Sequence, residues 1–346
     1  MDFQKVALVH QEKYPLMQAQ DFVKLAYQSA FGCGHMVNDF KSAYERVKSE
    51  CEAKTPFVFT EDIGNRYVRL HLNSGGIPLS SETAARMFVL SAEAVSDDRD
   101  TFFAYAEDLK SLSREGRIAP SENDVACALS KFESGDFAPV SHTETYRTAY
   151  KPAYRVIKAE YAKALPLISK LESLKNKKNS VIVAIDGMCA SGKTTLSSLL
   201  SSVLSAPVYH MDDFFLPPIK RTKERLSEPG GNVDYERFRT DVLNPLLSGV
   251  PFTFRPFDCS VMALSEPVSC APAPLSIVEG SYSCHPTLEK DYDFKIFLSV
   301  DPEAQLERIR ARNGEKMLTR FKNEWIPMEN RYFEAFSIRE KADVAF

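Results

Sequence analysis

One short stretch of the sequence combines the residue types that bind nucleotide phosphates, at the required spacing. In VAIDGMCASGKTTLSSLL, residues 183–200, Gly187 is followed after four residues by Gly192, Lys193 and Thr194. Glycines let backbone N–H groups converge on phosphate oxygens, a lysine reaches the β- and γ-phosphates, and a threonine hydroxyl binds Mg²⁺. The pattern predicts a P-loop with ATP and Mg²⁺ as its ligands.

The elements on either side of this loop fit the prediction. The apolar run 181–185 indicates a buried strand, and the leucines after Thr194 recur at the spacing of one helix face. The positive end of that helix would point at the phosphates. The predicted nucleotide contacts are therefore Gly187, Ala190, Ser191, Gly192, Lys193, Thr194 and Thr195.

Charged residues further along the chain predict the groups that assist phosphoryl transfer, together with Lys193. Asp212 in YHMDDFF follows a strand, at the edge where ligands bind in open α/β sheets. A carboxylate there accepts the proton of an attacking hydroxyl and holds a Mg²⁺-bound water. ERIRARNG places Arg308 and Arg312 one helical turn apart, where they can neutralise a phosphoryl group. The alternatives are solvated turn acids and an exposed basic helix.

Several other classes of P-loop protein lack support in the sequence. GTPases need an Asn-Lys-x-Asp guanine reader, and transporter ATPases carry a Leu-Ser-Gly-Gly-Gln stretch; neither occurs here. Motor-type ATPases place Asp-Glu after a core strand, whereas LSIVEGS ends in the single acid Glu279. An acid after the strand that follows the P-loop helix, with arginines in a lid, is typical of small-molecule kinases.

Residues 179–346 resemble the uridine kinase and phosphoribulokinase family in the motifs IDGMCASGKTT, MDDFF, GGNVDYERF, VEGSYS and RIRARNG. The resemblance implies a doubly wound parallel α/β sheet and phosphorylation of a nucleoside-like or other small-molecule hydroxyl. It makes Asp212 the catalytic base and Phe215 an aromatic side chain near the nucleoside. It also implies that Asp234 holds sugar hydroxyls and that Glu279, with Thr194 and Asp212, lies at the metal.

The sequence departs from this family where the base would be read. In FRPFDCSVMAL, Phe257 stands where the family has a hydroxyl-bearing aromatic residue, and no histidine follows. A phenylalanine stacks on a ring but cannot hydrogen-bond to its edge. Arg255 and Asp258 are candidates for binding a different polar substrate, or form a surface ion pair. The basic insert 220–225 is either a flap that binds an anionic acceptor or a solvated charge run.

Residues 1–178 give a different pattern, and no family is recognised in them. We predict a mostly α-helical domain with one strand in NRYVRLHLN, residues 65–73. Tyrosines recur at helical spacing, and Pro152 would kink or split their helix. They are Tyr146, Tyr150 and Tyr154. Such a stripe is more often a packing face than a base-stacking surface. Cys33 and His35 are the two candidate metal ligands that lie close together in this stretch. Because a metal site needs more ligands, a turn at Gly32 and Gly34 is favoured over a metal site.

The composition and charge of the chain limit the classes of binding partner that we expect. The chain has 346 residues and a net charge of −4, with no net charge on residues 1–178. No basic excess points to nucleic acid, and no apolar run is long enough for a membrane span. Seven scattered cysteines without a Cys-x-x-Cys pair predict reduced thiols in the cytoplasm. The alternatives left open are a pantothenate-like acid or an RNA end as acceptor, a non-catalytic ATP-binding regulator, and a homo-oligomer.

Overall fold

Helices with one antiparallel sheet make up the first half of the chain, and helices around a parallel sheet make up the second. The computed structural model divides into two compact units, Met1–Lys170 (unit 1) and Leu171–Phe346 (unit 2). The division falls inside the helix Ala159–Lys175. The boundary between residues 178 and 179 stays a prediction. The described residues are 2–33, 39–51, 56–73, 75–93 and 98–346. Of the predicted turn at Gly32 and Gly34, Gly34 lies outside them, as does His35, one of the two candidate metal ligands.

Unit 1 combines helices with a four-stranded antiparallel sheet in the order β3–β1–β2–β4. Its helices are α1 (Phe3–Lys13), α2 (Ala19–Phe31), α3 (Phe40–Glu50), α4 (Ser81–Ala92), α5 (Arg99–Arg114), α6 (Glu122–Ser134), α7 (Glu144–Tyr150) and the start of α8 (Ala159–Lys175). Its strands are β1 (Phe57–Asp62), β2 (Tyr67–His71), β3 (Ile77–Pro78) and β4 (Tyr154–Lys158).

The predicted strand at 65–73 is present as β2, but the expectation of a single strand was wrong. β2 is buried along its whole length, and its buried residues include Arg69 and His71. Polar residues inside the sheet hide the apolar alternation from which β1 and β4 would have been predicted. Pro152 does interrupt the tyrosine stripe, because α7 ends at Tyr150 and β4 begins at Tyr154.

Unit 2 is built on a five-stranded parallel sheet in the order β13–β12–β5–β11–β6. Its strands are β5 (Val181–Gly187), β6 (Val208–His210), β11 (Leu275–Glu279), β12 (Phe294–Leu298) and β13 (Val344–Ala345), with small antiparallel pairs formed by β7 (Phe252–Phe254) and β10 (Val268–Cys270), and by β8 (Phe257–Asp258) and β9 (Ala263–Leu264). Its further helices are α9 (Lys193–Leu204), α10 (Lys223–Ser227), α11 (Tyr235–Phe238), α12 (Asn244–Ser248), α13 (Pro302–Arg320) and α14 (Ile326–Phe336).

The sheet order brings three chain segments to one edge. β5 lies between β11 and β12, and its residues are all buried, as its apolar sequence predicts. Because the strands are parallel, their carboxyl ends meet, which places Gly187, His210 and Glu279 on the same side. The unit thus has the layout of an α/β P-loop fold. Within the described residues, no helix is long and apolar enough to cross a membrane.

Candidate active site

The loop between β5 and α9 has the backbone geometry that its glycines predict. Gly187 has φ +136°, and a Cβ there would lie 2.1 Å from the carbonyl oxygen of Leu298. Ala190 and Gly192 also have positive φ, at +58° and +102°. None of the described side chains caps the first turn of α9. Its N–H groups therefore stay available for an anion.

Lys193 lies inside this loop and not out in solvent. Its Nζ donates to the carbonyl oxygens of Gly187 at 2.7 Å and Met188 at 2.9 Å, and to Ser281 Oγ at 3.2 Å. The hydroxyl of Ser191 is buried and has no hydrogen-bond partner among the described residues. A buried polar atom without a partner is costly, so the loop is suited to a ligand that satisfies it.

A hydroxyl and a carboxylate meet at the end of β11. Thr194 Oγ1 donates to Glu279 Oε1 at 3.2 Å, and His210 Nδ1 lies 2.7 Å from Glu279 Oε2. The hydrogen bond to Glu279 raises the pKa of His210. The described residues contain no group of three or more His, Cys, Asp or Glu side chains placed to hold a metal ion. Mg²⁺ keeps several waters and needs only one or two protein oxygens, so the pair suffices for it.

Asp212 lies beside this pair, in a 3₁₀ turn (211–214) after β6. The side chain of Asp212 is accessible to solvent, although many protein atoms lie around it. The resulting desolvation is the largest cause that raises the pKa of Asp212, and the charge of Glu279 is the second. Lys193 acts on Asp212 in the opposite direction. The backbone carbonyl of Asp213 accepts a hydrogen bond from Arg237 at 2.9 Å. The two adjacent acids therefore have different surroundings. The charges of Glu279 and Lys193 act on Asp212, whereas that of Arg237 acts on Asp213.

The segment that carries Asp234 pairs with the segment that carries Asp212. Phe215 forms an isolated antiparallel bridge with Val233, and the N–H of Asp234 donates to the carbonyl oxygen of Phe214 at 2.6 Å. Asp234 is buried, caps the N-terminus of α11, and accepts two hydrogen bonds from Lys220 at 2.9 and 3.0 Å. Two of the predicted acceptor-site residues, Asp234 and Phe215, are thus brought to the 3₁₀ turn that carries Asp212.

The other two predicted acceptor residues have structural partners. Phe257 is 5% exposed, in a hairpin whose strand β8 lies against the 3₁₀ turn of Asp212. Arg255 donates to the carbonyl oxygens of Leu264 and Ser265, and Asp258 accepts from Ser260. The suggested surface ion pair between Arg255 and Asp258 does not appear among the ion pairs of the described residues.

The basic insert is also bound locally. Arg221 donates to a backbone carbonyl at 2.8 Å, and Arg225 holds Glu236 with two hydrogen bonds while its guanidinium stacks on Tyr235. Lys220 is the insert residue that reaches Asp234. Most of these cations therefore bind groups of their own segment. This differs from both earlier interpretations, a flap whose cations are free to bind an anionic acceptor and a run of solvated charges.

The predicted lid helix packs on the P-loop. Arg308 Nη1 donates to the carbonyl oxygen of Ala190 at 3.0 Å, and Arg312 donates to Asn313 at 2.8 Å. The helix breaks at Gly314, with φ +78° and ψ 171°, and continues to Arg320. An apolar cluster beneath it joins lid and loop; its buried members are Cys189, Ile309, Leu318 and Phe321. Of the two arginines, Arg308 is hydrogen-bonded to the loop itself.

Sequence reasoning missed two buried acids of the site. Glu329, on α14, accepts from the N–H of Cys189 at 2.9 Å and from Ser281 Oγ at 2.7 Å, and Ser281 in turn contacts Lys193. Nothing in the amphipathic pattern of α14 distinguishes this glutamate from its exposed neighbours. Asp186 gave a usable signal, because it is a charged residue at the end of an otherwise apolar buried strand.

Asp186 links the P-loop to the loop after β11 through hydrogen bonds. It accepts hydrogen bonds from the N–H groups of Gly187, Tyr282 and Cys284 and from the hydroxyl of Tyr332, at 2.7 to 3.2 Å. It is fully buried, and this burial raises its pKa to about 6 in spite of those donors. Its role is to hold backbone and not to face a ligand.

Comparison with known proteins gives weak matches. No family model and no curated protein matches the chain. Among solved structures, a possible uridine kinase from Bacillus stearothermophilus is 22% identical, with a TM-score of 0.40, over 52% of this chain and 99% of its own. TT1252 from Thermus thermophilus is 20% identical (TM-score 0.27, 49% and 88%), and a shikimate kinase from Bacteroides thetaiotaomicron is 18% identical (0.27, 48% and 85%). Matches at this level establish neither a family nor a substrate.

Proposed function

We propose that unit 2 is an ATP- and Mg²⁺-dependent kinase that transfers a phosphoryl group to a hydroxyl of a nucleoside-like or other small molecule. The observation that carries the proposal is the hydrogen bond between Thr194 and Glu279. It joins the end of the P-loop to the end of β11, with Asp212 beside it. A nucleotide-binding loop, a site for a hard cation and a separate carboxylate thus lie together.

The residues present fit a nucleotide and Mg²⁺. The open first turn of α9, the unpartnered hydroxyl of Ser191 and the ammonium of Lys193 are all suited to phosphate oxygens. Thr194 and Glu279 are oxygen donors of the kind that Mg²⁺ takes, directly or through water. Bound there, the metal would neutralise charge on the phosphates. When the nucleotide binds, Lys193 exchanges its carbonyl partners on Gly187 and Met188 for phosphate oxygens.

In the proposed reaction, Asp212 is the general base. Its carboxylate accepts the proton of the acceptor hydroxyl while the oxygen attacks the γ-phosphorus and the bond to the leaving ADP breaks. Burial and the neighbouring Glu279 raise the pKa of Asp212 above its ordinary value, which makes its carboxylate a better base. Arg308 is placed by its hydrogen bond to Ala190 to act on the charge of the transferring group.

The acceptor would lie on the side of the 3₁₀ turn where Asp234 and Phe215 are. Asp234 already accepts two hydrogen bonds from Lys220, so an acceptor hydroxyl must share or replace that partner. Phe257 is buried in its hairpin and Arg255 is bonded to backbone, so neither has a polar group facing a base in this arrangement. This supports a polyol-like acceptor in general and no particular base.

The test uses the adjacent aspartates as a matched pair. ADP release from Mg-ATP is measured with a panel of nucleosides, sugars, hydroxy acids and a short RNA with free hydroxyl ends, with Lys193→Ala as the blank. For the acceptor that responds, we expect Asp212→Asn to lower kcat by roughly a hundredfold or more, as for loss of a general base. Asp213→Asn, which keeps its backbone bond to Arg237, should lower kcat by no more than a few fold.

Two outcomes would overturn the assignment. Equal kcat for wild type and Asp212→Asn, with unchanged acceptor affinity, would remove the base role. Tight ATP binding that Lys193→Ala abolishes, with no acceptor raising turnover, would favour the ATP-binding regulator over the kinase. A response limited to a pantothenate-like acid or an RNA end would keep the kinase and replace the nucleoside-like acceptor.

A further inference from the structure

Unit 1 contains a small cavity next to its buried polar network, and the proposed kinase site uses neither. The cavity has a volume of about 230 Å³ and lies where the ends of α1, β2 and α7 meet. Its wall includes Tyr14, Tyr146 and Tyr150, whose ring centroids are 4.9 to 5.4 Å apart, together with His71. Pockets for drug-sized ligands are larger, so this one suits a molecule built on a single ring.

His71 is held in one tautomer by the network behind it. Its Nε2 lies 3.1 Å from Glu61 Oε2, and Glu61 also accepts from Tyr14 at 2.7 Å and from Arg69 at 3.4 Å. Burial would raise the pKa of Glu61, but the hydrogen bond from His71 and the charge of Arg69 hold it well below its usual range. Glu61 is therefore ionised, and His71 must donate its Nε2–H to it.

The consequence is an acceptor in the cavity wall. In the neutral tautomer that this hydrogen bond selects, Nδ1 of His71 carries a lone pair, and Nδ1 has no hydrogen-bond partner among the described residues. The His71 residue is 9% exposed. An acceptor in a cavity wall can take a hydrogen bond from an N–H or O–H group of a ligand.

The charge of the lining selects for an anion. Lys151 lines the cavity, is exposed, and forms no ion pair with any described residue, while none of the lining residues is acidic. Lys151 also has φ +42° and ψ 58°, a left-handed conformation that costs energy in a residue other than glycine. Lys151 directly follows Tyr150 at the C-terminal end of α7, so it stands in the same wall of the cavity as the tyrosines.

We propose that this cavity is a second small-molecule site, for a planar one-ring acid that also carries a hydrogen-bond donor. The tyrosines contact the ring faces and edges, Lys151 pairs with the acidic group, and His71 accepts from the donor. The proposal does not depend on the activity of unit 2.

The test measures binding to the full chain by calorimetry at neutral pH with three probes. 4-Hydroxybenzoate carries ring, acid and donor, benzoate lacks the donor, and phenol lacks the acid. We expect one saturable site for 4-hydroxybenzoate, with benzoate and phenol each bound at least fivefold more weakly. Lys151→Met should raise the Kd for 4-hydroxybenzoate at least tenfold, while Lys163→Met, an exposed lysine of α8 outside the cavity, should leave it unchanged.

A second variant keeps the test decisive if Lys151→Met does not fold. Ala153→Phe adds a ring to the cavity wall, leaves every residue of the network unchanged and should abolish binding, with far-UV circular dichroism confirming the fold. The proposal is overturned by the absence of saturable binding, by equal Kd values for Lys151→Met and Lys163→Met, or by phenol binding as tightly as 4-hydroxybenzoate.

Discussion

The two units bury charged side chains in opposite ways. In unit 2 five buried charged side chains stand at strand ends and helix beginnings around one edge of a parallel sheet: Asp186, Lys193, Asp234, Glu279 and Glu329. In unit 1 they stand inside the antiparallel sheet and its covering helices, where Arg69, fully buried, donates to both Glu61 and Gln28. The first set borders a nucleotide-type loop, whereas the second is centred on hydrogen bonds between its own members.

The difference shows what each arrangement is suited to. Charges at the carboxyl edge of a parallel sheet keep ligand-facing groups, such as the hydroxyl of Ser191, without protein partners. In unit 1 a second acid–histidine pair, Asp21 and His142, is fully bonded, because His142 also reaches the hydroxyl of Tyr154 at 2.6 Å. A satisfied network of this kind stabilises one packing arrangement, whereas an unsatisfied one binds a ligand.

Breaking the buried network around Glu61 and Arg69 should have the largest effect on stability. Arg69→Met leaves Glu61 buried with a lost partner, so we expect a loss of about 3–5 kcal/mol in the free energy of unfolding of unit 1. The matched control is Arg66→Met, at an exposed position just before the same strand, which should change it by less than about 0.5 kcal/mol. Hydrogen exchange of unit 1 amides in urea measures both. Equal effects would mean that the buried charges of unit 1 contribute no more than surface charges do.

The buried acid of unit 2 should show its burial in a pH dependence. Asp186 has a folded pKa of about 6, above the value of about 3.9 for an unfolded aspartate. The folded state therefore binds the extra proton, so its stabilising contribution is full below pH 4 and is lost as the pH rises through 6. Relative to Asp186→Asn, the wild-type free energy of unfolding should fall by on the order of 3 kcal/mol from pH 4 to pH 7.

Fluorescence of Trp325, the single tryptophan, reports this unfolding from within unit 2. Tyr332→Phe removes a hydrogen bond that lowers the pKa of Asp186, so it should make the fall with pH steeper. A difference between wild type and Asp186→Asn that stays flat or rises with pH would contradict the raised pKa.

The smallest effect is expected where an acid acts through another residue. Glu329→Gln removes a charge that orients the P-loop through Cys189 and Ser281, so we expect KM for ATP to rise about tenfold, worth about 1.4 kcal/mol, with kcat changed less. Glu334→Gln, on the exposed side of the same helix, is the control. An equal loss in kcat and none in KM would instead place Glu329 in the chemical step.

The sequence predicted most of unit 2 and little of unit 1, for a physical reason. The P-loop is a local feature: Gly187 and Thr194 are seven residues apart, and the flanking strand and helix follow from apolar period alone. The network of unit 1 joins residues 41 positions apart in Arg69–Gln28 and 121 apart in His142–Asp21. Polar residues with such distant partners look like surface residues in the sequence.

By itself, therefore, the sequence determined the P-loop, the alternation of strands and helices around it, and the candidates Asp212, Glu279 and Arg308. Only the tertiary structure decided that Glu329 joins the loop, that Arg255 is bonded to backbone, and that unit 1 has four strands around a buried arginine. Periodicity records which face of an element is apolar, but the partner of a buried polar group is chosen by the fold, which brings distant segments within hydrogen-bond reach.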